Sequence, residues 1–298
     1  MKFRPALFVL LFALCHARAA ADERRVSVAV LDMGDTPTAA RVAERLSKVM
    51  SSLKIQGTTL ALLDRGMSAA AARGVGYAGS LNLTLAEARA LGAAVGCDFF
   101  LTGDAQTVRR SSSARPVYFE SYASVFLVSA RTGGLVLWAR PAAEADTAAR
   151  AEAALLDALN ADFAARLTSA LFDAAAREER ERFEPAASEP ASVIDLSSDE
   201  AAAAHKDLRE PAPYRRLRPA YTDAASRAEA EATVDAEVEI GADGEVGSVR
   251  VVRWAGFGLD EEVVATVRRM HFRPAQREGE PVPVRVLLRY NFRKPPKS

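Results

Sequence analysis

The chain has 298 residues, 49% of them apolar, with 39 Lys and Arg balanced by 39 Asp and Glu and only two cysteines. That length suggests about two domains with enough apolar material for real cores. Zero formal net charge gives no broad basic field of the kind a nucleic-acid partner requires.

Residues 1–21 hold Lys2 and Arg4, an apolar run over 6–15, and small-x-small sites ending at Ala19 and Ala21. This is the layout of a secretory signal peptide. The run falls short of the ~20 residues a membrane-spanning helix needs, so the expectation is cleavage at Ala19 or Ala21 and a periplasmic mature protein. Cys15 raises the alternative of an outer-membrane lipoprotein, against which Leu14 stands where the lipoprotein peptidase selects a small residue. Cleavage leaves Cys97 as the only cysteine, so no intramolecular disulfide can form.

Residues 22–183 read as an α/β domain. Residues 26–33 are almost continuously apolar, as in a strand buried on both faces, and Thr36-Pro37 cap a helix whose inner face is Val42, Leu46, Val49 and Leu53. A second strand covers 59–64. Thr84-Leu85-Ala86-Glu87 is a capping box opening a helix with Leu91 and Val95 inward. Strands follow from Cys97 and over 117–130, and Arg131-Thr132-Gly133-Gly134 turns the chain into a strand over 135–140. Leu155, Leu159, Phe163, Leu167 and Leu171 repeat every four residues along one closing helix, a drifting stripe that favours core packing over a coiled coil.

Val28-Ala29-Val30-Leu31-Asp32, Leu62-Leu63-Asp64-Arg65, the 91–103 segment with Gly96-Cys97-Asp98, and the 131–138 hairpin ending in Trp138 give this domain its character. It resembles the domain shared by the curli secretion protein CsgG, the amino-terminal part of TolB and the lipoprotein activators of penicillin-binding proteins. The resemblance implies an envelope module that binds other proteins.

Residues 184–213 are rich in Pro, Ala, Ser and Glu, which predicts a flexible linker. As a coil of ~30 residues it would span on the order of 30 Å, leaving the flanking modules free to engage separate partners. The basic run Tyr214-Arg215-Arg216-Leu217-Arg218 reads as solvated linker.

Residues 214–298 carry the most regular pattern. Val234, Ala236, Val238 and Ile240 alternate with Thr233, Asp235, Glu237 and Glu239, the mark of a half-buried strand. Gly241-Ala242-Asp243-Gly244 turns it into a second strand over 246–254. Leu259, Val263, Val267 and Met270 share one helical face, with Asp260, Glu261 and Glu262 at its start and Arg268 and Arg269 at its end, as the macrodipole favours. Val284, Val286, Leu288, Tyr290 and Phe292 then alternate with Arg285, Leu287, Arg289 and Asn291. The order is β-β-α-β.

Pro219-Ala220-Tyr221, Ala242-Asp243-Gly244-Glu245-Val246, Leu259-Asp260, Phe272-Arg273-Pro274-Ala275 and Gly279-Glu280-Pro281-Val282 occur in sequence. Over residues 219–292 the chain resembles the C-terminal domain of TonB, the periplasmic energy-transducing protein. It departs at Thr222, where a second Pro is usual, and at His271, where Trp is common. TonB-like domains hold extended peptides by strand addition at a sheet edge. The resemblance therefore implies a peptide-binding edge on the last strand: Val284, Arg285, Val286, Leu287, Leu288, Arg289 and Tyr290.

Catalytic cues are weaker. Gly74-Val75-Gly76-Tyr77-Ala78-Gly79 matches a dinucleotide fingerprint but does not directly follow a strand, so a surface loop is expected. Cys97 lacks a base, since His205 and His271 lie in other segments; a buried strand cysteine is the better reading. Those two histidines assemble neither a zinc site nor a triad, and His271 is expected to pack at its helix end.

The fold expected is α+β: an α/β domain, a linker and a small β-β-α-β domain. The function expected is non-enzymatic: a periplasmic protein-binding adaptor in envelope transport or assembly, with no cofactor, metal, nucleic acid or small-molecule substrate. Its partners are other envelope proteins, outer-membrane transporters among them. The alternative is an energy transducer whose residues 1–21 stay uncleaved and couple to an inner-membrane motor. The short apolar run and the lack of a long Pro-rich spacer weigh against it.

Overall fold

The computed structural model describes residues 24–52, 58–183 and 193–294. The expected signal peptide, with Cys15, Ala19 and Ala21, and the 184–192 part of the expected linker lie outside the described residues.

The amino-terminal lobe runs β1 (Arg24–Val30), α1 (Pro37–Ser52), β2 (Thr58–Leu62), α2 (Arg65–Gly74), α3 (Leu85–Val95), β3 (Phe99–Arg110), β4 (Tyr118–Ser129), β5 (Leu135–Ala139), β6 (Ala142–Ala145), α4 (Ala148–Ala158) and α5 (Ala161–Phe183). Its sheet has the order β2-β1-β3-β4-β5, with β6 also on β4; β1 pairs in parallel with β2 and β3, and the remaining ladders are antiparallel. Alternation sorts side chains to the two faces. Val28, Val30, Phe99, Leu101, Val125 and Leu127 pack under α1, α4 and α5. Ala29, Leu31, Phe100, Phe126 and Val128 point to the other face, where α2 and α3 cover only part of the sheet.

One helical expectation changes. The closing helix is two helices, because Leu159 leaves helical geometry and the Asn160 side chain caps α5, accepting the Phe163 N–H at 3.1 Å; Asn is a poor helix-interior residue and a good N-cap. The Ala-rich stretch after Asp64 is helix α2, begun by the Asp64 carboxylate accepting the Met67 N–H at 2.8 Å.

The carboxy-terminal lobe comprises β7 (Ile194–Leu196), α6 (Asp199–Ala204), β8 (Leu208–Arg209), β9 (Ala212–Pro213), α7 (Asp223–Ala228), β10 (Ala232–Ile240), β11 (Val246–Arg253), α8 (Leu259–Val267), β12 (Phe272–Arg273), β13 (Ala275–Arg277), β14 (Glu280–Val282) and β15 (Val284–Phe292). Its main sheet has the order β11-β10-β15-β7. The linker expectation is thus corrected from residue 193 onward: β7 pairs with β15, β8 with β13 and β9 with β12. Leu208 is buried, and Ile194 and Leu196 pack against the core. Each of these strands is too short to show a period, so composition alone reads as coil.

The expectation of separately mobile modules is also corrected. One apolar core runs through both lobes, from Ala29, Leu91 and Phe126 to Trp254, Phe257 and Val263. The part of the β4–β5 face that α2 and α3 leave bare is covered by the loop after β11. Trp254, 2% exposed, stacks on Phe126 with centroids 5.8 Å apart and donates Nε1–H to the Gly133 carbonyl at 3.0 Å. Phe257 meets the edge of Phe126 at 5.6 Å and Trp138 at 5.5 Å. One glycine permits this approach: a Cβ at Gly256 would lie 2.5 Å from the Phe126 ring, and its φ is positive. Within the amino-terminal lobe, a Cβ at Gly133, also at positive φ, would overlap the Leu85 carbonyl.

Polar bonds complete the seam. The Asn82 carboxamide accepts the Thr233 N–H at 2.9 Å and donates to the carbonyls of Thr233 at 2.8 Å and Trp254 at 2.7 Å. A single side chain from one lobe thereby acts as a strand partner for β10 of the other. Among the described residues no helix is long and apolar enough to cross a membrane.

Candidate functional site

β15 enters through Pro283 and runs the full length of β10, from Val284 opposite Ile240 to Phe292 opposite Ala232. Val284 and Phe292 are buried, and Val286, Leu288 and Tyr290 pack against the core beside them. On the side away from β10, Val284, Arg285 and Val286 lie in parallel register with Ile194, Asp195 and Leu196. The expected binding edge is therefore corrected: β7 already covers its first three residues, and the portion without a strand partner among the described residues is 287–292.

The direction of the backbone groups follows from one bond. The Ile194 N–H reaches the Pro283 carbonyl at 3.0 Å, so odd-numbered positions of this strand turn N–H and C=O toward β7 and even-numbered ones toward β10. Past Leu196, Arg289 and Asn291 carry that polarity onto the open edge. Here the chain leaves β15, and Ser198 caps α6 by accepting the Ala201 N–H at 3.1 Å. A cleft of about 570 Å³ opens at this point, lined by Leu196, Asp199, Glu210, Leu287 and Arg289.

The solvent face of the sheet is a lattice of opposite charges. The Asp235 side chain, 5% exposed, accepts Arg289 at 2.7 and 3.0 Å and Arg253 at 3.2 Å. Burial works to raise the Asp235 pKa, but the two guanidinium groups prevail and hold it below the usual carboxylate range. Arg285 bonds Glu239 at 2.7 Å, and Arg250 pairs with Glu237. The Asp195 carboxyl on β7 is also held low, first by hydrogen bonds from Ser197 and then by the charges of Arg285 and Arg250.

A second concavity lies along the seam between lobes. It encloses about 590 Å³ between β5 and α8, with Leu137, Trp138, Val264 and Leu85 on its walls and Asp260 and Arg268 lining it as well. The Asp260 carboxylate accepts the N–H groups of Ala255 and Gly256, each at 2.8 Å, which fixes the loop that delivers Phe257. Burial pushes its pKa up to about 6 despite those bonds.

The other candidates are placed apart. Cys97 is partly buried ahead of β3, and burial, then the neighbouring Asp98 charge, push its thiol up to about 12, far from the range of a reactive thiolate. Gly74 closes α2, so the glycine pattern follows a helix, and the Tyr77 hydroxyl is bound to Thr102 at 2.8 Å. The His271 side chain does not pack against its helix; it is 64% exposed and meets Glu245 at 2.9 Å. Among the described residues no group of His, Cys, Asp and Glu is suited to a metal ion.

Residues 218–293 match the family described as Gram-negative bacterial TonB protein C-terminal. This segment is thus similar to a TonB C-terminal domain. It makes up roughly a quarter of the chain, and no curated protein matches the chain. Among solved structures the chain is similar to the TonB C-terminal domain of Pseudomonas aeruginosa, with 20% identity, 35% of this chain and 96% of that one covered, and a TM-score of 0.27. It is also similar to the LpoB C-terminal domain of Salmonella enterica, at 16% identity over 41% and 86% of the two chains and a TM-score of 0.27. The lipoprotein GNA1162 of Neisseria meningitidis shares 13% identity over 51% and 99%, with a TM-score of 0.28. Superpositions this loose carry no argument about function. In the matched segment, β10, β11, α8 and β15 are the β-β-α-β elements expected from sequence. The β7 strand lies upstream of the matched segment and is added to its sheet.

Proposed function

We propose that this chain is a non-enzymatic periplasmic adaptor that holds an extended segment of another envelope protein on the β15 edge. The observation that supports this most directly is the half-edge itself. Arg289 lines an open cleft and Asn291 continues the same backbone polarity beyond it, in a domain family whose resemblance implies strand addition. Edges left in this state are normally shielded by charge, bulges or cover, and here the bare stretch is short and flanked by a strand already docked in parallel. Because the lobes share a core, partners of either lobe meet one body.

In-cell photo-crosslinking tests the reading. A photoreactive residue in place of Leu287 is expected to yield adducts that one in place of Ser248, on β11, does not. Asn291→Pro should suppress them, because the Asn291 N–H faces the open edge and its loss removes an acceptor-strand donor without breaking the β10 ladder. Adducts equal at both positions, or indifferent to Asn291→Pro, would remove β15 as the binding edge.

A further inference from the structure

We infer that β7 is a resident competitor for this edge: the chain's own Ile194-Asp195-Leu196 strand occupies the start of the acceptor track and yields to an extended partner segment that runs parallel to β15 with apolar–acidic–apolar side chains. This rests on the reading of β15 as a strand acceptor and adds its regulation and the chemistry of what it accepts.

β7 displays the features of a bound peptide. It precedes the matched TonB segment and, among the described residues, joins one strand over three residues. Its Ile194 N–H donates to Pro283, and its two apolar side chains pack against the core alongside Val286. Between them Asp195 is exposed on the face that carries Arg285 and Arg250. The ladder thus reads an acidic residue flanked by apolar ones, at a fixed register with Val284, Arg285 and Val286.

The hold is also limited. A parallel ladder of three residues contributes few net hydrogen bonds, each worth about 1 kcal/mol. An incoming strand that runs on past Val286 gains Arg289 and Asn291 as well, which β7 forgoes when the chain turns off at Ser197 and Ser198 toward α6. A longer segment therefore outcompetes the resident one, while shorter or mismatched ones do not. If β7 holds the edge about nine-tenths of the time, apparent affinity for any competitor is weakened about tenfold.

The test uses the full chain and a fluorescein-labelled peptide with the sequence of residues 193–201, Val-Ile-Asp-Leu-Ser-Ser-Asp-Glu-Ala, long enough to reach Asn291 in the register of β7, followed by fluorescence anisotropy. The double substitution Ile194→Ser with Leu196→Ser strips the apolar anchors of β7 and should bind the peptide about tenfold more tightly than the unaltered chain. A peptide with Lys for its first Asp should bind at least about fivefold more weakly. Equal affinity in both proteins would overturn the competitor and leave the strand acceptor standing; binding to neither would overturn both. A second pair of substitutions guards against misfolding. Asp195→Cys with Arg285→Cys places thiols at register partners, so the oxidised form should bind the peptide at least about tenfold more weakly than the same variant reduced, whose own affinity is lowered by the loss of Arg285. An oxidised form that binds as well as the reduced one would overturn the proposal.

Discussion

Replacing Trp254 with Ala is the sharpest probe of the seam between the lobes. The ring is almost fully buried, stacks on Phe126 and neighbours Phe257, and its Nε1–H satisfies the Gly133 carbonyl. Truncating a buried Trp costs about 3–5 kcal/mol, and stranding a buried carbonyl adds about 1–3 kcal/mol. A loss of about 5 kcal/mol is comparable with the whole stability of many domains. Scanning calorimetry should show one transition for the unaltered chain and, for Trp254→Ala, two resolved transitions with the first markedly lowered. Trp254→Phe keeps the stack and loses the hydrogen bond, so a loss of about 2 kcal/mol with a single transition is expected. A Trp254→Ala protein that still melts in one transition, within about 1 kcal/mol of the original, would refute the shared core.

Asn82→Ala leaves both backbone groups of Thr233 and the Trp254 carbonyl without this partner; partial solvent access moderates the loss to about 2–3 kcal/mol, measurable by urea titration. Asp260→Asn should alter the pH profile. An acid whose folded pKa of about 6 exceeds its unfolded value near 4 contributes stability that is complete below about pH 4 and is lost as pH rises through about 6. Between about pH 4.5 and about pH 7.5 the unaltered chain should therefore lose about 2 kcal/mol more than Asp260→Asn, and parallel urea titrations at the two pH values check it. Asp235→Ala should cost about 2 kcal/mol and bring Arg289 and Arg253 out of register; because the Asp235 pKa is held low, its contribution is present near neutrality and fades as pH falls through the carboxylate range.

The elements that the sequence revealed best are those with a strict period. The alternation around Val234–Ile240 and Val284–Phe292 located β10 and β15 closely, and the Thr84 capping box marked the start of α3. Period reports that a face is buried without saying what covers it. Nothing in the sequence pairs Phe126 and Trp138 with Trp254 and Phe257, and only the fold brings them together across the seam. Asn82 carried no signal because a loop asparagine is common, and its three partners lie about 150 residues or more away. β7 was hidden for the opposite reason: three residues in a Pro-, Ala- and Ser-rich stretch are too few for any pattern. Alternation shows the two faces of the last strand but not its pairing partners, since register and edge status depend on segments distant in sequence.

Backbone amide exchange, read residue by residue on the chain bound to the partner captured at Leu287, tests the central claim most directly. Strand addition predicts that the amides of Arg289 and Asn291, which face no strand among the described residues, become at least about tenfold slower to exchange in the complex, while those of Leu288 and Tyr290, already committed to β10, change little. Unchanged exchange at Arg289 and Asn291, with new protection instead along β5 or α8, would place the partner elsewhere and contradict the account.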